Sequence, residues 1–252
     1  MVSLTVLTAI ALPWWARRAL SPAQRICLGR SLSVLLSATV VVWTCVRLVR
    51  GEFDRTTDLP LDLCNLAALL LPGLMWTPSE RVHNVLYFWV LVGTAQAVLT
   101  PHLEDGFPHY TFLKYWIVHG GLIVAAVYFT VALRLFPRAR SILIAFGWLQ
   151  VYTVGVFAAN VLIDANYFYV LRKPPTASLL DVMGPWPWYL LVCELLTLLL
   201  FGVAYLPIHW RSRAAGGGVG PAPPDAAGVP AGDGSGTRPT KAASSSSGHS
   251  GG

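Results

Sequence analysis

Seven apolar runs, broken by short polar or basic stretches, organise the first 210 residues: 2–15, 31–49, 59–76, 82–100, 115–133, 142–162 and 186–207. The last six approach the roughly 20 residues, at about 1.5 Å rise each, that a hydrocarbon core of about 30 Å requires. The first is shorter, and Pro13 and Trp14 point to an end at the membrane interface. The pattern predicts an all-α membrane protein, a bundle of about seven transmembrane helices (six if the first is not a span) over residues 1–210. From Arg211 the composition changes. The remaining residues, 211–252, are rich in Gly, Pro, Ala and Ser and contain no aromatic residue, Leu or Ile after Arg213. Such a segment cannot bury enough apolar surface to offset its ordering entropy, so a disordered cytoplasmic tail is expected. No internal repeat is visible, which gives an inverted-repeat transporter no support.

Composition strengthens this picture. The 252 residues are 55% hydrophobic and 12% charged, with a mean hydropathy of +0.58. Soluble domains carry about twice that charged fraction, so lipid is the expected solvent. The formal charge of +6 does not point to nucleic acid, because the basic residues are scattered between apolar runs and form no stripe with interleaved aromatics. Their placement reports topology instead. With the N-terminus outside, the inner segments hold twelve basic residues, including Arg17, Arg18, Arg134 and Arg211, and the outer segments hold six, Arg47, Arg50, Arg55, Lys114, Arg172 and Lys173. That excess predicts a multi-pass protein of the plasma membrane with an outer N-terminus and a cytoplasmic tail. No Lys or Arg precedes the first run, which argues for a retained helix rather than a signal peptide.

Polar groups inside spans are costly and often functional, so their depth is informative. Cys64 and Asn65 lie just inside the outer end of the third run, His119 about four residues inside the fifth, and Asn160 about four residues inside the sixth. At about 1.5 Å per residue, all three sites fall roughly 5–9 Å below the outer surface. Asp62, Asp164, Asn166, Tyr167 and the aromatic start of the seventh run, Trp186-Pro187-Trp188-Tyr189, border the same layer. A thiol, an imidazole and amides at one depth allow acyl-transfer chemistry: nucleophile, base, a carboxylate such as Asp164 to fix the tautomer, and an oxyanion donor. Plainer roles compete at each position. Buried Cys often acts as a small hydrophobe, His and Asn join helices, and Trp and Tyr form interfacial belts. A Cys45–Cys64 disulfide is a further rival, and Glu194, deeper in the last run, needs a partner. The four cysteines and six histidines show no metal-ligand spacing, and no cofactor is implied.

The segment Leu59-Pro60-Leu61-Asp62-Leu63-Cys64-Asn65-Leu66, followed by Thr100-Pro101, His119-Gly120, Asn160, Asn166-Tyr167, Lys173-Pro174 and Gly184-Pro185-Trp186-Pro187-Trp188-Tyr189, resembles the YwaF-type family of bacterial integral membrane proteins over roughly residues 1–210. That family is similar to vertebrate multi-span acyltransferases acting on ether phospholipids. More distantly it resembles membrane hydrolases that use a Thr–His pair. The resemblance implies Cys64 as nucleophile and His119 as base, with membrane lipids as substrates. Asp62, Asn65, Asn160, Asp164, Asn166, Tyr167 and Trp186 would be supporting or substrate-binding residues. Many bacterial relatives carry His where Asp62 stands. The alternative is a non-enzymatic transporter or small-molecule-binding protein with an outward-facing polar pocket.

Overall fold

The computed structural model describes residues 1–76, 79–99, 101, 103, 105–174 and 178–214. Among them are seven helices and no strand: α1 Val2–Ala19, α2 Pro22–Val49, α3 Leu63–Trp76, α4 Glu80–Leu99, α5 Tyr110–Val131, α6 Ser141–Ile163 and α7 Trp188–Ala214. Five of them, α2, α4, α5, α6 and α7 as far as Arg211, are long and apolar enough to cross a membrane. At 14 residues α3 is shorter. The chain is an all-α membrane bundle.

Local chemistry explains most of the ends. Leu20 is extended and closes α1, and Ser21 then caps α2 through a capping box with Gln24, with Pro22 at the first helical position. Helix α2 starts at Pro22 rather than 31, so Arg25 and Arg30 belong to it, and other boundaries depart from the expected ones as well. The run at 59–76 becomes helical only at Leu63, because 59–62 pack as a turn whose Leu61 carbonyl accepts from the Tyr152 hydroxyl. Helix α5 starts at Tyr110 rather than 115, capped by the His109 ring, so Lys114 belongs to the helix and not to a loop. Helix α7 passes through Pro207 and continues to Ala214, past the expected start of the tail. The rest of the expected tail, 215–252, lies outside the described residues, as does Thr100.

Consecutive helices alternate in direction. Arg25 donates to the Ala132 carbonyl, Arg30 to the Met75 carbonyl, and Arg138 pairs with Glu80, which gathers one set of helix ends into a basic end of the bundle. The opposite end carries Asp62, Cys64, the start of α5 and the end of α6. The centre is α4 and α5, with 44% and 50% of their apolar windows buried against 6% for α7. Trp89 and Tyr87 of α4 donate to the carbonyls of Ala145 in α6 and Ala204 in α7, joining the outer helices to this centre.

Helices α1 and α2 approach α5 closely at two glycines. A Cβ on Gly120 would stand 2.8 Å from the Thr5 hydroxyl, and one on Gly121 only 2.4 Å from a methyl of Leu36. Leu36 is 2% exposed and has little room to retreat. Gly121→Val is therefore expected to destabilise the bundle by about 1–3 kcal/mol through overpacking. Thermal unfolding in mild detergent checks this, and an unchanged midpoint would show that α2 and α5 are looser than this packing requires.

Candidate functional site

Because α3 begins at Leu63, Cys64 sits in its first turn with Asp62 just outside it. The Cys64 sulfur is 3.7 Å from the Thr94 hydroxyl of α4. Thr94 closes a six-residue π-helical segment, Trp89–Thr94, and is 1% exposed. Wide turns of this kind reposition side chains and recur at functional sites. The Asp62 carboxyl accepts from the Phe168 backbone N–H and feels the charge of Lys114. The Lys114 ammonium lies 5.3 Å over the Trp43 ring, and its charge acts on Asp62, Asp58, Cys64 and His119 without an ion pair within 4.0 Å among the described residues.

His119 is half-buried on α5. Its Nδ1 is 2.8 Å from the Tyr115 carbonyl oxygen, and its ring stacks on Tyr115 with centroids 4.1 Å apart. A carbonyl only accepts, so Nδ1 carries the proton and Nε2 keeps the lone pair. The orienting acceptor is thus a backbone carbonyl one turn earlier and not Asp164, which is exposed at the left-handed C-cap of α6. Among the described residues no hydrogen bond joins Cys64 to His119.

The other expected site residues divide by what they touch. Asn160 is fully buried, but both ends of its amide are engaged by one residue: Nδ2 donates to the Tyr167 carbonyl at 2.9 Å, and Oδ1 accepts from the Tyr167 N–H at 2.8 Å. Asn166 likewise accepts from the N–H groups of Leu171 and Arg172 and donates to the Arg172 carbonyl. These amides shape the loop after α6 and are not aimed at Cys64. Tyr167 ties that loop to the one before α3, donating to the Arg55 carbonyl and accepting from the Leu59 N–H. Burial pushes its phenol up to about 12, so it remains a neutral donor. Asn65 is half-buried one residue beyond Cys64. Trp186 is exposed and donates to the Val170 carbonyl, as an interfacial aromatic does, whereas Tyr189 is 1% exposed and donates to the Tyr169 carbonyl. All four cysteines are free and Cys45 is exposed, which removes the Cys45–Cys64 disulfide.

Comparison with known families matches the chain to the TMEM164 family over residues 1–205. The chain belongs to the TMEM164 family. The matched region contains the first six helices and most of α7, and so every residue of the site. No curated protein and no solved structure matches the chain.

Several groups at and near the site have little individual signal in the sequence. Lys114 looked like a loop cation, Thr94 an ordinary span residue, and Tyr152 one more aromatic. The same holds for the fully buried His83, whose ring is 3.5 Å from the Thr130 hydroxyl. Glu194 has its partner in Gln150 of α6, which donates to it across the α6–α7 contact. The expected shared cavity also differs. The large groove of the bundle, about 1450 Å³, lies between α4, α5 and α7, is mainly apolar, and is lined by none of Cys64, His119, Asn160 or Asn166.

Proposed function

We propose that the chain is an integral-membrane enzyme that transfers or hydrolyses an acyl group of a phospholipid ester, with Cys64 as nucleophile and His119 as base. The observation that carries this is the level that the α3 thiol and the α5 imidazole share, with the charge of Lys114 acting on both. Tyr115 donates from its hydroxyl to the Ala97 carbonyl at 2.7 Å, Thr94 lies three residues below Ala97, and His119 four below Tyr115. Cys64, bonded to Thr94, then lies within about one helical turn of the His119 level. The resemblance to YwaF-type proteins, and through them to ether-phospholipid acyltransferases, supports the same pair.

In the proposed reaction His119 Nε2 takes the Cys64 proton and the thiolate sulfur attacks the ester carbonyl carbon. The C–O bond breaks as the leaving lysolipid oxygen receives that proton, leaving a thioester. A lysolipid hydroxyl or water then gives its proton to His119, attacks the thioester and restores the thiol. Lys114 balances negative charge as it develops. The excess of basic residues at the other end of the bundle supports an orientation with this site toward the outer leaflet of the plasma membrane.

The test is covalent labelling of purified protein with a long-chain chloroketone or a fluorophosphonate. Cys64→Ala is expected to abolish labelling, while Cys27→Ala, Cys45→Ala and Cys193→Ala leave it unchanged. Incubation with diacyl and lyso-phospholipids then separates transfer, which yields a new acyl lipid, from hydrolysis, which yields free fatty acid. Undiminished labelling of Cys64→Ala, or neither product from folded protein over a broad lipid panel, would overturn the proposal.

A further inference from the structure

The groove away from Cys64 has its own chemistry. It runs along α4 from Tyr87 to Leu99, about 18 Å at 1.5 Å per residue, which exceeds the ~15 Å that one leaflet of a ~30 Å core supplies. Its walls, including Leu91, Val127 and Val203, are apolar. Its floor at the basic end is not, because Arg17 and Arg211 line the groove there, and the charge of Arg134 reaches Arg211.

Basic residues near one membrane face are expected of any multi-pass protein. Three features separate these three. Arg17 of α1 and Arg211 of α7 line one mouth, and Arg134, in the turn after α5, lies close enough for its charge to act on Arg211. Among the described residues none has a carboxylate within 4.0 Å, and the one carboxylate at that end, Glu80, is taken by Arg138 at 3.5 Å. Arg211 is also held in place, its guanidinium 3.9 Å over the Phe136 ring, which leaves the edge of its donor fork free to meet a planar or tetrahedral anion. Like charges brought together in this way repel one another unless an anion joins them, and guanidinium groups suit phosphate.

We propose that this groove seats a phospholipid of net negative charge, with an acyl chain along Leu91, Val127 and Val203 and the phosphate on Arg17, Arg134 and Arg211. The occupant comes from the leaflet at the basic end of the bundle, opposite the Cys64 layer. The site is independent of whether Cys64 is a nucleophile.

The experiment uses the full chain in nanodiscs of phosphatidylcholine alone or phosphatidylcholine doped with phosphatidylglycerol. Two quantities are read: the thermal midpoint, and the lipid retained per chain on release into native mass spectrometry. Phosphatidylglycerol is expected to raise the midpoint and to be retained in preference to phosphatidylcholine. In Arg17→Gln/Arg211→Gln that preference falls by about tenfold or more, since charge-assisted hydrogen bonds are lost. Arg17→Lys/Arg211→Lys keeps the charge and part of the preference, which guards against a folding defect in the Gln variant. Val203→Trp, which fills the groove and leaves the arginines intact, reduces retention of either lipid. Inorganic phosphate alone leaves the midpoint unmoved, because without a chain the groove stays empty. Equal retention of the two lipids, a preference undiminished in the Gln variant, or a full response to inorganic phosphate would each overturn the proposal.

Discussion

Acyl transfer by His119→Ala is expected to fall by about 10²–10⁴-fold, the usual contribution of a positioned general base, with membrane insertion and thermal midpoint little changed. The expectation rests on the fixed tautomer. Nδ1 is committed to the Tyr115 carbonyl at 2.8 Å, so Nε2 is the atom able to accept a proton, and stacking on Tyr115 holds the ring in place. Because the acceptor is backbone, no side-chain change removes it. Tyr115→Phe keeps both the ring and that carbonyl while removing the hydroxyl that donates to Ala97, so its effect should stay below about tenfold. Turnover of both variants, measured as new acyl lipid per folded chain, decides the matter. A His119→Ala variant with wild-type turnover would reduce the imidazole to a helix-joining group, and the acyl-transfer proposal would lose its base.

The bundle itself was legible in the apolar runs. Helix α6 was expected at 142–162 and spans Ser141–Ile163, because its ends coincide with a change from apolar to polar residues. The ends that moved were set by contacts that periodicity does not encode. Leu59 and Leu61 are apolar enough to count as span, yet they pack against the loop after α6 and the helix waits until Leu63. His109 caps α5 although nothing in its neighbours marks it as a cap, and this moves Lys114 into the helix. Cys64 stands near the start of α3, but His119, expected four residues inside its helix, lies at the middle of α5 because that helix starts at Tyr110. Depth counting could not foresee the roles of the amides. Whether a buried Asn faces a substrate or a backbone depends on where the chain goes next, and after Asp164 it turns sharply back. The groove has no signature in the sequence for a related reason: its walls come mainly from three helices distant in sequence, and apolar residues facing a void look like apolar residues facing lipid.

Asn160→Ala is expected to cost about 2–4 kcal/mol of stability, because it strips the partners from two backbone groups of a residue that is 4% exposed. The loop it holds is strained. Asp164, Phe168 and Tyr169 have φ of 56°, 59° and 52°, and bulky side chains rarely adopt the left-handed region. Each such residue costs on the order of 1 kcal/mol or more and persists only when its surroundings enforce it. Asn160 supplies much of that enforcement, grasping Tyr167 by both its N–H and its carbonyl. Tyr167 passes the constraint to Leu59 and Arg55, and so to the chain that delivers Asp62 and Cys64. Asn160→Asp retains the acceptor for the Tyr167 N–H and loses the donor to its carbonyl, so it should fall between wild type and the Ala variant. Unfolding in mild detergent measures the order of the three. Turnover per folded chain, measured beside it, separates a latch from an oxyanion donor: a latch lowers the folded fraction, whereas a donor lowers turnover per folded chain. Loss of turnover at an unchanged unfolding midpoint would return Asn160 to the catalytic site.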